Sequence, residues 1–165
     1  MLVAGKHMDA GKVVISHDEM YLYVKLMCAN GWSVHGSHVA VAASLAGLPQ
    51  TKSGNPPPGQ FPFKHGCLTD DCTQIYQIPL ENLGWTTNGE CSDQQIVVAV
   101  HAEVSKSCNG DDMQSETAWA KGPGFPGKNW AMYVEYELDC CEQVDAGGPD
   151  GGDVDSGYDK DPVIE

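Results

Sequence analysis

From residue 21 to residue 28 the chain alternates. Tyr21, Tyr23, Lys25 and Met27 fall on one side, and Leu22, Val24, Leu26 and Cys28 on the other. A two-residue period of this kind predicts a β-strand with one buried face. Similar segments recur. Residues 12–17 are rich in β-branched side chains. Residues 32–43 set Val39 and Val41 against His38 and Ala40. Residues 73–80 end at Pro79, which marks an edge strand because it cannot donate to a ladder. Residues 94–105 form the longest and most apolar run, which predicts a central strand. A short strand over 115–120 and an alternating one over 130–138 complete the set.

The intervals carry turn chemistry. His17-Asp18-Glu19-Met20 is a polar turn. Ala29-Asn30-Gly31 predicts a hairpin, because Asn-Gly accepts positive φ cheaply. Residues 53–60, with three successive prolines, can be neither a helix nor a central strand, and Phe61 and Phe63 are the candidate anchors of that loop. Residues 121–128, with three glycines and two prolines, form another loop. No stretch holds a capped 3.6-residue apolar stripe, and a brief helical turn near Leu80–Leu83 is the most the pattern allows. Seven to nine hairpin-connected strands with one long crossover loop predict an all-β fold, a two-sheet antiparallel sandwich or jelly roll.

The 165 residues suit one domain with a full core. After Cys141 the composition shifts: residues 142–165 hold eight acidic groups, one lysine and five glycines. The division expected is therefore a β domain over 1–141 and an acidic, Gly/Asp-rich, solvated tail over 142–165. No internal repeat and no N-x-Ser/Thr glycosylation site is present. The longest apolar run, residues 96–100, is far short of the roughly 20 residues a membrane helix needs. Met1-Leu2-Val3-Ala4 leads straight into Gly5-Lys6-His7 and not into a signal peptide, so a secreted chain would be a mature or trimmed form.

Charge narrows the partners. Nine lysines face 23 acidic residues with no arginine, for a net charge of −14. That excludes phosphate-backbone binding and attraction to anionic membrane surfaces, and it favours cations, calcium in particular. The seven cysteines lack the paired CxxC knuckles of a zinc ribbon. They predict a disulfide framework made in an oxidising compartment, with Cys67–Cys72 the best single pair. Cys91, Cys108, Cys140 and Cys141 would supply further bonds of open connectivity, and Cys28 is the candidate odd thiol. The expected location is extracellular or on the cell surface.

Three phrases are distinctive as a set. They are Ala4-Gly5-Lys6-His7-Met8-Asp9-Ala10-Gly11, the run from Ser37-His38-Val39-Ala40-Val41 to Lys52-Ser53-Gly54-Asn55-Pro56, and Glu116-Thr117-Ala118-Trp119-Ala120 followed by Gly127-Lys128-Asn129-Trp130-Ala131-Met132-Tyr133. Over residues 4–138 the chain resembles a family of uncharacterised secreted microbial β-sandwich domains, often embedded in larger surface proteins. The resemblance implies a secreted β domain and no established enzymatic activity. The cysteine content and the acidic tail depart from it.

Candidate chemistry is sparse. Asp153, Asp155, Asp159 and Asp161 alternate around Gly157, an arrangement suited to a hard cation that needs six to eight oxygens from a tightly turning chain. An EF-hand loop would carry a further ligand at Gly157 and a Glu at Ile164, so the match is incomplete. Asp70-Asp71 and Asp111-Asp112 are paired loop carboxylates that another chain's oxygens could complete. His38 and His101, with Glu103 or Glu116, form a possible transition-metal set. Trp119 and Trp130 flank the Gly/Pro loop and suit a sugar platform, although core packing is the commoner role of tryptophan. No Gly-x-Ser-x-Gly elbow, phosphate-cradling loop or His-Glu-x-x-His is present, so no enzymatic activity is expected.

The leading expectation is an extracellular structural module that assembles with copies of itself, by strand exchange or by calcium bridging, into a surface or filamentous polymer. A glycan-binding or adhesive domain for polysaccharide is the alternative. A metal-dependent hydrolase using His38, His101 and Glu116 is the second alternative. Neither nucleic acid nor membrane insertion is expected.

Overall fold

The computed structural model describes residues 1–66, 73–84, 94–108 and 112–139, with 108 and 112 placed by backbone alone. Cys67, Cys72, Cys91, Cys140, Cys141, Asp70, Asp71, Asp111 and the tail with Asp153, Asp155, Asp159 and Asp161 lie outside the described residues. The regular structure is nearly all strand. In chain order the strands are β1 (Leu2–Ala4), β2 (Met8–His17), β3 (Tyr21–Cys28), β4 (Trp32–Ala42), β5 (Phe63–Gly66), β6 (Thr73–Pro79), β7 (Gln94–Cys108), β8 (Asp112–Ala120) and β9 (Val134–Leu138). Single 3-10 turns occupy Leu45–Gly47, Pro58–Gln60 and, as the sequence predicts, Leu80–Leu83. No helix among the described residues is long and apolar enough to cross a membrane.

These strands form one antiparallel sheet, in the order β5-β4-β7-β8-β1-β2-β3-β6, with β9 also paired to β7. The sheet curls until it is nearly closed into a barrel. Two stacked sheets, as in a sandwich or jelly roll, are not what the hydrogen bonding describes. The difference begins at Asn30 and Gly31. Both take the positive φ expected of an Asn-Gly turn, 56° and 78°. The turn does not close a hairpin, however. β3 pairs with β2 and β6, and β4 pairs with β5 and β7, so the turn links two strands that lie on opposite sides of the seam between the sheet edges. Local turn chemistry sets the backbone angles at two residues, and packing decides where the next strand lands.

The core lies inside the curl. Leu22, Val24 and Leu26 of β3 meet Ile96, Val98, Val100, Ala102 and Val104 of β7, with Tyr76 and Ile78 of β6 and Leu2 and Ala4 of β1. The alternation seen in the sequence is the inward face of each strand. The edges β5 and β6 are joined by side chains and not by a ladder. Ser37 and Tyr76 share a hydrogen bond of 2.6 Å between hydroxyls, Ser37 also bonds Gln74, and the His65 ring stands edge-on to Tyr76 at 4.3 Å.

β7 is buried on both faces over its first half, which accounts for its continuous apolar run. Outside the barrel, Val97 and Ala99 meet Ala40 beneath a second cluster of Leu48, Phe61, Trp119, Phe125 and Ala131. Two loops provide this cover. The proline-rich loop inserts Phe61, fully buried, and the Gly/Pro loop inserts Phe125. The loops bind each other: Gly127 N–H donates to the Gly54 carbonyl at 3.1 Å, and Asn129 N–H donates to Asn55 Oδ1 at 3.1 Å. A Cβ at Gly127 would stand 2.0 Å from Asn55 Oδ1, so the close approach requires glycine there. Of the two predicted anchors, Phe63 packs instead on the inner core.

Candidate functional site

Three buried polar side chains interrupt the apolar interior: Ser37, His101 and Ser105. Every buried side-chain nitrogen and oxygen among the described residues has a partner, as burial demands. Two of the three lie on the outward face of β7, beyond the apolar cluster.

β4 and β7 run in register with His38 opposite His101. Their Nδ1 atoms are 3.3 Å apart and their ring centroids 5.5 Å apart. The Trp119 ring stands edge-on to His101 at 4.9 Å, which leaves His101 only 5% exposed. Burial pushes the His101 imidazole down to about 4, with the neighbouring His38 adding to the effect. Burial also lowers His38, against the opposing pull of Glu103, while Lys64 works in the same direction as burial. Both rings are therefore neutral at pH 7, with one donating and the other accepting between the two Nδ1 atoms. Lys64 sits opposite His38 on β5, but its ammonium is taken by the Gly59 carbonyl at 2.5 Å.

One turn of the pleat further along, the β4 register slips between Val34 and Gly36. This irregularity frees His35, whose Nε2 meets the Ser105 hydroxyl. A hydroxyl beside an imidazole is the first half of a nucleophilic pair, but Ser105 is only 3% exposed and a substrate cannot reach it. A shallow depression of about 600 Å³ opens along these strands, lined by His35, Glu103, Ser115 and Thr117 among others. The bulge that places His35 leaves no trace in the amino-acid pattern, and the sequence reading missed it for that reason.

The predicted histidine set is thus gathered in part. His38 and His101 meet, and Glu103 stands two residues from His101 on the same face. Glu116 does not join them. It pairs with Val104, three positions from Trp119, the residue opposite His101. With a period of two, an odd offset puts Glu116 on the other face of the hairpin, where its carboxylate accepts from Gln114 Nε2 at 3.2 Å. The two tryptophans proposed for sugars go into the outer cluster. Trp119 is 4% exposed between Phe61 and Phe125, and Trp130 is half-buried against the same cluster. Trp119, with so little free surface, offers no stacking platform.

The predicted calcium ligands are not brought together by anything described. Cys108 and Asp112 are placed only as the facing ends of the β7–β8 hairpin. No disulfide joins two residues whose side chains are described. Cys28, the expected odd thiol, ends β3 and is partly buried against the inner core.

A second feature lies in the barrel wall. β2 is ten residues long, yet on the side away from β3 its only partner among the described residues is the three-residue β1, which covers residues 8–11. Beyond β1, β2 faces β9 across a cavity of about 240 Å³ lined by Val13, Ile15, Val134 and Tyr136, with Met1, Ala120 and Lys121 at one end. Among the described residues β9 pairs only with β7. At the other end the gap is bridged by His17, whose Nδ1 meets the Tyr136 hydroxyl at 2.9 Å and whose Nε2 meets the Asp139 carbonyl at 2.9 Å. The result is a slit between two strand edges with no ladder across it.

No family model, no curated protein and no solved structure matches this chain.

Proposed function

We propose that this domain is an extracellular structural module that assembles with copies of itself by strand addition. The observation that carries this reading is the unfinished wall. Residues 12–17 of β2 and the facing edge of β9 present backbone donors and acceptors that no strand of this chain takes up among the described residues. Free strand edges accept a strand from a neighbour, and the main-chain ladder supplies the affinity. Six residues of β2 edge span about 20 Å, enough for one short added strand. All three side chains of β1 are buried, so a short strand slotted beside β2 is already part of how this barrel closes.

Two further points support the reading. The seven cysteines fit a disulfide framework made in an oxidising, extracellular setting. A net charge of −14 makes copies repel one another unless cations screen or bridge them, which gives calcium its place at Asp70, Asp71, Asp111, Asp112 and the tail aspartates.

Sedimentation velocity over a concentration series, with millimolar calcium and with chelator, tests the proposal. Multimers that grow with concentration and shrink on chelation are expected, with the amides of residues 12–17 gaining protection from hydrogen exchange on assembly. A monomer at every concentration and in both solutions overturns it.

A further inference from the structure

We infer that His38 and His101 form a binding site for one first-row divalent transition ion, zinc or copper in class, with Glu103 as the third ligand. The inference stands apart from the assembly reading and rests on different residues.

The argument begins with spacing. Metal–nitrogen bonds of roughly 2.0–2.1 Å at a tetrahedral angle hold two ligand nitrogens about 3.3–3.4 Å apart. The two Nδ1 atoms stand 3.3 Å apart. They are held there by the backbone, since His38 and His101 are direct partners in a ladder that runs from Trp32 to Ala42. Edge-on packing of Trp119 fixes the His101 ring as well. The spacing of the two nitrogens is therefore set before any ion arrives.

The same 3.3 Å also suits a hydrogen bond between two neutral rings, so spacing alone does not choose. Three features favour an ion. First, Glu103 places a carboxylate beside the pair: it shares the outward face of β7 with His101, and its charge acts on His38. Second, among the described residues that carboxylate has no hydrogen bond and no ion pair. The ammonium of Lys64, the residue opposite His38 on β5, is held by the Gly59 carbonyl. Third, Glu103 is exposed and His38 half-buried while His101 is buried, so the site has an entry side and a closed side.

No three ligating groups among the described residues already converge. The assignment therefore requires Glu103 to turn toward the histidines on binding, with water completing the shell. Two imidazoles and one carboxylate suit zinc or copper far better than calcium, which prefers an all-oxygen shell.

The test uses the intact chain, freed of metal by chelator and titrated at pH 7.5 with cobalt(II) as a spectroscopic stand-in for zinc. One equivalent with visible bands of a four-coordinate ion is expected. Those bands should vanish in His38→Ala, a half-buried position that belongs to neither apolar cluster. Glu103→Gln should weaken binding by about tenfold or more, since losing a direct ligand costs at least what losing an outer-shell partner does. His35→Ala should leave the spectrum unchanged. Absence of a four-coordinate spectrum overturns the site, and so does a spectrum that survives His38→Ala. Unaltered affinity in Glu103→Gln overturns the three-ligand assignment. Calcium in tenfold excess should not displace the cobalt; if it does, the ion sits on carboxylates elsewhere.

Discussion

The wall of the barrel built on β4 and β7 and the wall built on β2 and β9 use the same kind of alternating strand, yet only the first is finished. β4 and β7 pair over ten positions, from Trp32 with Lys106 to Ala42 with Val97, and two loops plate their outer face. β2 has a partner for only its first residues on one side and then faces a slit. The difference comes from what lies outside the sheet. Ala40, Val97 and Ala99 are apolar on the outward face, so that wall gains a second buried layer from Phe61, Trp119 and Phe125. The outward residues of β2 and its neighbours are mixed. Val14 and Ile75 remain 45% and 52% exposed on either side of Lys25, and no described loop covers them. One wall stores stability and fixes the histidine pair, while the other keeps an edge available.

The largest effect expected from this contrast is at Phe61. Its ring is fully buried beneath the proline-rich loop, so Phe61→Ala should cost about 3–5 kcal/mol in urea unfolding. A loss near zero would mean that the loops are ornament and the two walls equivalent. Leu2→Ala comes next. Leu2 is fully buried in the strand that closes the thin wall, and about 2–5 kcal/mol is expected. If the strand-addition proposal is right, this variant should also change the sedimentation profile, which Phe61→Ala should not.

The thick wall should be acid-sensitive. His101 is neutral in the folded chain, with its imidazole pushed down to about 4, whereas the unfolded chain takes up a proton at the ordinary histidine value near 6.5. Between those values the unfolded state binds more protons, so stability is whole above pH 6.5 and falls as pH drops toward 4. The full loss is about 3 kcal/mol. The groups facing His101 are His38 from β4 and Trp119 from β8, with Glu103 next along its own strand. Of these, a His38 proton would deepen the loss. A stability–pH profile should lose most of its slope over that window in His101→Asn. An unchanged slope would assign the acid sensitivity to other groups.

Smaller effects belong to the thin wall. Tyr136→Phe removes the hydroxyl that meets His17 across the slit and should cost about 0.5–1.5 kcal/mol. It should also speed amide exchange in residues 12–17. Ile75→Ala, on the bare face, should stay within about 0.5 kcal/mol of the parent. A large loss there would mean that something covers that face in solution.

Much of this was legible before any coordinates. The strand at 21–28 has the bounds and inward face that its alternation predicts. β7 is central, as its unbroken apolar run implies, and Pro79 closes β6 at the end of the sheet path. Where the reading missed, local chemistry was mute. β1 and β5 are too short to show a period. β9 begins at Val134, four residues later than the alternation suggests, because Trp130, Ala131 and Met132 are drawn into or against the outer cluster. Of the candidate site, the face shared by His101 and Glu103 could be read from their spacing of two. That Glu116 would fall on the opposite face could not, since it depends on the register between two strands. The pairing of His35 with Ser105 depends on a bulge with no residue signature.

The sequence by itself determined that this is a β protein, which residues of each strand turn inward, and that its loops are rich in carboxylates. Those properties follow from a two-residue period and from side-chain chemistry, both readable within a few neighbours. Only the tertiary structure decided that the strands form one curled sheet, that an Asn-Gly turn joins two strands that do not pair, and that His38 lies 3.3 Å from a ring 63 residues away. Such pairings are fixed by which buried faces fit together once long loops have closed, and a chain read one window at a time does not contain that comparison.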